Sequence, residues 1–325
     1  MSDHSASATE SRLLHLPVSL FATVMGLAGL TVATAKMEQM FALADEVSRG
    51  LLFFSLFVYA SVLLAYMTKW VRFPQAVKHE FAHPIRLSFF PAASIGAILL
   101  SVAILPHSQE IALVFWGVGA TVHLIFTLVI LSTWMHHEAF QIQHSNPAWF
   151  IPMVGNILVP IAGVELGYIE VSWFFFSIGL IIWLPLLAVL LNRFFFHPML
   201  PSKLLPTLFI LIAPPAVGFI SWMKLHHGVL DDMGRLLYYF ALFMTLLMLV
   251  QVKHFVKVSF ALPWWAYSFP LAAITIATMM MRELVGGAFF EGLSMLLYGA
   301  LVLLLILLVY KTLQAILAKK VCVPE

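Results

Sequence analysis

The chain has 325 residues, 62% hydrophobic and only 10% charged, with a mean hydropathy of +1.00; this excludes a soluble domain and points to a polytopic membrane protein. A formal net charge of +2 provides no electrostatic basis for a nucleic-acid partner. The single cysteine, Cys322, excludes an intramolecular disulfide framework.

In chain order, residues 1–13 form a polar, Ser-rich tail, and ten apolar segments follow, each of the ~17–25 residues that a bilayer requires. They lie near 14–35, 50–68, 87–105, 111–135, 147–165, 172–192, 205–223, 235–252, 264–282 and 292–314. Ala-Thr-Ala at 33–35 imitates a signal-peptidase site, but the apolar run before it exceeds the ~7–15 residues of a leader core, so 14–35 is read as the first span. The membrane domain is thus 14–314, and 315–325 is a second short tail. Neither tail is long enough to fold alone, so control by a long phosphorylated terminus is not expected.

Lys and Arg set the expected orientation. With the N-terminus inside, Arg12, Lys69, Arg72, Lys78, Arg86, Arg193, Lys203, Lys253, Lys257, Lys311, Lys319 and Lys320 fall on the inner side. Only Lys36, Arg49, Lys224, Arg235 and Arg282 fall outside. Both termini are therefore expected in the cytoplasm of a cell with the protein in its plasma or inner membrane.

Prolines alternate with the spans. The odd spans carry Pro17, Pro91, Pro152 with Pro160, then Pro206, Pro214 and Pro215, and finally Pro270 with Pro263 at its entrance; among the even spans only the sixth has one, Pro185. A proline frees a carbonyl one turn back, which in hydrocarbon must find protein or water. Ten spans then parse as five hairpins, each a proline-kinked inner helix followed by a smoother outer one, arranged as a ring around a central pore. The competing reading is that proline is simply more frequent in membrane helices.

Ionisable side chains within the spans are scarce. Glu165, Arg282 and Glu283 lie at span ends, and His123 in the fourth span is the one deep candidate, with packing as its competing role. His136, His137 and Glu138, with His144 shortly after, imitate a metal cluster. Adjacent helical positions point about 100° apart, however, so an interfacial polar cap is the better reading. No nucleotide loop, metalloprotease motif or nucleophile elbow is present, and neither a metal nor a cofactor is expected. The polar groups left in the odd spans are neutral, with Ser19, Thr23, Ser94, Asn156 and Ser268 the candidate pore-lining set. A path lined by hydroxyls and aromatics without buried carboxylates suits anions better than a cation pump.

Four segments, HPIRLSFFPAAS (83–94), NPAWFIPMVGNILVP (146–160), IAPPAVGFISW (212–222) and FALPWWAYSFPLAA (260–273), occur in order, each opening or lying in an odd span. Together they resemble the tellurite-resistance/C4-dicarboxylate transporter family, which includes bacterial TehA and the plant guard-cell slow anion channels. The resemblance covers about 14–314 and implies ten helices with quasi-fivefold hairpin symmetry, assembled as a homotrimer with a separate pore in each protomer. It also implies an aromatic gate on the ninth helix. Within WAYSFP that gate falls on Phe269 or Tyr267, with Phe269 preferred because it keeps the family's phenylalanine; Trp264 and Trp265 are assigned to interface anchoring and packing.

The function implied is passive conduction of small anions such as chloride or nitrate, the bilayer and the permeant being the partners besides a second and third copy. A carrier for C4-dicarboxylates, sulfite or tellurite is the alternative. A haem or metal enzyme built on His15, His123, His136, His137 and His144 would instead predict a bound chromophore or metal, and a purely structural protein would leave five proline-broken helices without a purpose.

Overall fold

Hydrocarbon offers no partner for a free N–H or C=O, so a spanning chain must close its hydrogen bonds within helices or a barrel. The computed structural model describes residues 12–136 and 140–323, and among them no strand occurs. The apolar helical segments are α1 (Val18–Met40), α2 (Glu46–Arg72), α3 (Arg86–Ile104), α4 (Gln109–His136), α5 (Pro147–Gly163), α6 (Ile169–Phe196), α7 (Ser202–Leu225), α8 (Asp232–Val250), α9 (Leu262–Val285) and α10 (Ala288–Leu317). Among the described residues nine of these are long and apolar enough to cross a membrane, and α5 is the shorter one.

The reason α5 differs is local. Pro147 opens a 3-10 turn to Trp149, an α turn covers Phe150–Val154, 3-10 geometry returns over Gly155–Leu158, and α geometry resumes over Val159–Gly163. Pro152 and Pro160 withhold two donors within this stretch, and Gly155 supports neither turn strongly. Several even spans overrun their expected ends: α2 begins at Glu46 and ends at Arg72, and α6 reaches Phe196. Lys69, Arg72 and Arg193 lie in the last turns of these helices, where the helix dipole favours cations.

The odd segments share a beginning. Each opens in 3-10 geometry, over Val18–Phe21, Arg86–Phe89, Pro147–Trp149, Ser202–Ile212 and Leu262–Tyr267, before turning α-helical. The prolines cluster at these openings. Pro17 precedes the first, Pro91 caps the α part of α3, Pro206 lies inside the 3-10 run of α7, and Pro214 and Pro215 sit in its first α turn. Pro263 and Pro270 occupy the matching positions of α9. A first turn has orphan N–H groups in any case, so a residue without one is cheapest there. Pro152 and Pro160, inside the broken α5, and Pro185, inside α6, are the exceptions.

Burial separates the two sets. In α1, α3, α7 and α9, 56–89% of the apolar window is buried, against 22–39% in α2, α4, α6, α8 and α10. Large apolar side chains such as Phe57, Leu64, Ile181 and Leu303 remain exposed on the even helices, as a lipid-facing surface requires. Each odd segment packs on the even helix that follows it; α1 also packs on α3 and α9, α5 on α3 and α7, and α7 on α9. Small residues make these contacts close. A Cβ on Gly179 would stand 2.4 Å from Ile157 Cγ1, and one on Gly119 2.9 Å from Ile98 Cγ1, the tight backbone approach by which membrane helices associate without hydrophobic drive.

Candidate functional site

The site is built on the start of α9. After the 3-10 turn Leu262–Tyr267 the helix proper begins at Ser268, so Phe269 and Pro270 fall in its first α turn. α1 approaches this turn without side chains in the way: a Cβ on Gly26 would lie 2.3 Å from Ser268 Oγ, and one on Gly29 2.9 Å from Ala272 Cβ and 3.6 Å from Phe269 Cδ2. The two glycines thus admit α9 and leave the Phe269 ring its space. Behind it, Trp265 is anchored to α10 by donating from Nε1 to Thr312 Oγ1 (3.0 Å).

Phe269 borders three cavities. One, of about 40 Å³, is lined by Ser19, Met25, Phe89, Ile151 and Ile210. A second, also about 40 Å³, lies among Met25, Ile95, Val154, Leu158 and Val217. The third is a vestibule of about 540 Å³ bounded by Gly29, Lys36, His107, Glu165 and Lys224. A fourth, of about 1160 Å³, shares Ser19, Leu262 and Pro263 with the first small cavity. The sequence of spaces is therefore wide, narrow and wide, with the aromatic ring at the narrow part. Each narrow cavity has scarcely more than one water's share of liquid, about 30 Å³.

Tyr267 lies elsewhere. Its ring packs edge-on against Phe209 (4.7 Å between centroids), with Phe255 and Trp264 each 5.9 Å away. It lines none of these four spaces, and its buried hydroxyl has no hydrogen-bond partner among the described residues.

Of the five neutral polar candidates, Ser19 lines the wide and narrow spaces on one side of Phe269. The other four each donate a hydrogen bond inside the helix packing, and Asn156 Oδ1 has no partner among the described residues. Thr23 donates to the Leu20 carbonyl and Ser268 to that of Trp265. Ser94 donates to Pro91 O and meets His123 Nδ1 at 2.9 Å, which ties α3 to α4. Asn156 donates to Thr127 Oγ1 (3.0 Å) while Thr127 donates to Pro152 O (2.8 Å), so α4 supplies the partner for a carbonyl of the broken α5. Thr31 and Ser55 join α1 to α2 in the same way, at 3.1 Å. Pro152 and Pro160 are buried in α5, and Pro214 lines the second narrow cavity.

His123 is buried, with Nε2 unpartnered and packed against Gly155, where a Cβ would stand 2.5 Å away. His15 lines the large vestibule, His136 meets the Ser132 carbonyl, and His144 accepts from the Gln141 amide. His137 and Glu138 lie outside the described residues. Among the described residues no three metal-ligating side chains are gathered together.

A polar cluster at the mouth of α1 had no sequence signal, because Lys69 falls just beyond the expected end of the second span. Lys69 and Glu80 are both buried and pair at 2.6 Å; Lys69 also donates to Leu16 O, and Tyr66 donates to Glu80 Oε2. The other oxygen of Glu80 accepts from the Val18 amide (2.8 Å), which is the start of α1. The short helix Pro74–Ala82 thereby fastens the 3-10 opening of α1 to the end of α2.

The two vestibules differ in charge. Among the described residues the larger is lined by Lys69, Arg86, Lys203, Lys311 and Lys320 and by one carboxylate, Glu80. In the smaller, Lys36 pairs with Glu283 and Lys224 with Glu165, so its charges are balanced. Cys322 also lines the larger space; burial pushes its thiol pKa up, with Arg12 and Lys69 pulling the other way.

Residues 15–313 match the model of the SLAC1 family, described as voltage-dependent anion channels. The chain is 31% identical over 303 residues to the S-type anion channel SLAH2 of Arabidopsis thaliana, covering 90% of this chain and 58% of that one. An uncharacterized transporter of Methanocaldococcus jannaschii is 25% identical across 94% of this chain and 96% of its own length. The tellurite resistance protein TehA homolog of Haemophilus influenzae is 25% identical, over 80% of this chain and 79% of that protein. The chain thus spans little more than half of the plant channel and nearly all of the archaeal transporter.

Proposed function

Because the chain belongs to the SLAC1 family of voltage-dependent anion channels, we propose that it is a passive anion channel whose pore runs between α1, α3, α5, α7 and α9 and is closed by the Phe269 ring. The observation that carries this reading is the position of that ring, bordering two cavities of about 40 Å³ and the vestibule of about 540 Å³ at once. Phe269 is accordingly the gate, and Tyr267 a packing residue.

Charge supports anions as the permeant. Among the described residues five cationic side chains and one carboxylate line the larger mouth, and a predominantly basic cleft with low-dielectric walls concentrates anions. Within the narrow part the lining is apolar apart from Ser19, so no fixed carboxylate repels an anion.

The ring of five hairpins around this pore is supported by the odd-to-odd packing and by the burial split. It requires α5 as a tenth span. Its seven residues in 3-10 turns and ten in α turns rise about 2.0 and 1.5 Å each, giving about 29 Å, close to the thickness of hydrocarbon. The larger, basic mouth is assigned to the cytoplasm with both termini, following the Lys and Arg distribution, and three protomers, each with its own pore, make the assembly.

The test is anion current from purified protein in planar bilayers, wild type beside Phe269→Ala and Tyr267→Ala, with chloride, nitrate, sulfite and malate. Phe269→Ala is expected to open a large anion conductance that the wild type lacks. Absence of current in both, with saturable exchange of labelled malate or sulfite in liposomes, would replace the channel with a carrier.

A further inference from the structure

We propose that the larger vestibule is a binding site for a soluble multivalent phosphate, a polyphosphate or phosphorylated metabolite, which is too bulky to pass the Phe269 constriction and obstructs the pore from that side. This deepens the anion-pore reading and rests on it.

The vestibule measures about 1160 Å³, whereas the space it leads into is about 40 Å³. What enters the first need not enter the second. Lys203 at the start of α7, Lys311 near the end of α10 and Lys320 beyond it come from three separate stretches of chain. None of the three makes an ion pair or hydrogen bond among the described residues. Among the described residues lining the space, the one carboxylate, Glu80, is already held by Lys69, Tyr66 and the Val18 amide.

Three ammonium groups around one concavity therefore repel one another with no counter-charge paired to them among the described residues. A monovalent anion offsets one at a time. A chain of phosphates carries several charges on one body and meets all three, with oxygen acceptors for each lysine.

Lys320 is placed there by a built turn. Lys319 takes a left-handed conformation (φ +56°), its amide donates to Ile316 O and that of Lys320 to Ala315 O, and the chain folds back so that Val321 is buried. A non-glycine residue in this conformation is uncommon, and the turn directs the tail across the mouth instead of away from it.

The experiment uses the purified full chain and inorganic tripolyphosphate as probe. Calorimetric titration should give saturable binding that weakens between about 0.05 and about 0.5 M salt, since screening shortens the reach of exposed charges. Saturating tripolyphosphate should protect Cys322, which lines the same space, from a maleimide. In bilayers it should reduce current when added on the side of the larger vestibule and not on the other. Lys203→Gln, Lys311→Gln and Lys320→Gln combined should weaken binding by about tenfold or more and remove the protection. Unchanged binding in the triple variant, or an unprotected Cys322 at saturation, overturns the proposal. Protection by phosphatidylglycerol vesicles that tripolyphosphate does not alter would assign the space to a lipid headgroup and overturn the soluble ligand. If the protein carries no anion current, the pore reading fails while heat and labelling still decide the site; if it conducts and the probe neither binds nor protects, the site fails alone.

Discussion

Phe269 and Tyr267 stand two positions apart at the head of one helix, which turns them about 200° away from each other. One ring therefore borders the cavities while the other joins Phe209 and Phe255. Substitutions at the two positions should separate cleanly. Phe269→Ala is expected to raise conductance by roughly tenfold or more, the change that about 1.4 kcal/mol off a barrier produces. Tyr267→Phe should leave conductance at the wild-type level and keep or raise thermal stability, because it removes a buried hydroxyl without a partner, a group that costs about 1–3 kcal/mol. A Tyr267→Phe protein that conducts like Phe269→Ala would exchange the two roles. Both rings are legible in the sequence as members of WAYSFP, but which one faces open space depends on the exact helical phase, and a 3-10 turn that ends at Tyr267 shifts that phase.

At the scale of the element, the position of Phe269 depends on how closely α1 and α9 meet. Gly26→Ala would put a Cβ 2.3 Å from Ser268 Oγ and 2.7 Å from Ser268 Cβ, so the backbones must part. An overpacking loss of about 1–3 kcal/mol is expected in detergent unfolding, accompanied by altered conductance, whereas a stability loss with wild-type currents would uncouple this contact from the gate. The Lys69–Glu80 pair fixes the other end of α1. Lys69→Met strands a buried carboxylate and should cost about 3–5 kcal/mol, partly recovered in Lys69→Met/Glu80→Gln. On the opposite side, Asp231 caps α8: the Gly234 amide, and after it the Trp222 indole, hold its carboxyl below the usual carboxylate range. A depressed native pKa means that its contribution is complete above the ordinary carboxylate value and is lost as the pH falls through the native one. Asp231→Ala should therefore lower stability by about 1 kcal/mol near neutrality and progressively less in acid. A difference that grows on acidification would contradict this sign.

The whole molecule has a sidedness that its one cysteine can report. If both termini lie in the cytoplasm, a membrane-impermeant maleimide should label Cys322 in sealed inside-out vesicles and not in right-side-out ones. Labelling from the outside would invert the topology and, with it, the side of the larger mouth. Because burial raises the thiol pKa, the reactive thiolate appears only above the ordinary thiol range, so labelling should be slow near neutrality and accelerate as the pH rises. With the basic mouth at the pore entrance, anion current is expected to depend on ionic strength. Neutralising Lys311 and Lys320 should reduce current most at low salt, where charges act over a Debye length of about 10 Å or more.

Hydropathy alone determined that this is a helical membrane protein, since lipid admits only helices or a closed barrel, and barrel strands alternate over about 10 residues where this chain runs apolar for about 20. The prolines marked which helices would be buried, because a helix short of donors is kept away from lipid, and the burial of α1, α3, α7 and α9 follows them. Tertiary structure alone decided the rest. Thr23, Ser94, Asn156 and Ser268 read as pore polarity along the chain, yet each donates a hydrogen bond within the helix packing, and of their polar atoms the Asn156 Oδ1 has no partner among the described residues. Lys69 counts along the chain only as an inner-side cation, and only the return of the Pro74–Ala82 helix buries it together with Glu80. Composition and periodicity are local quantities, whereas a side chain's neighbour across the bundle is a property of three-dimensional distance, which no one-dimensional pattern encodes.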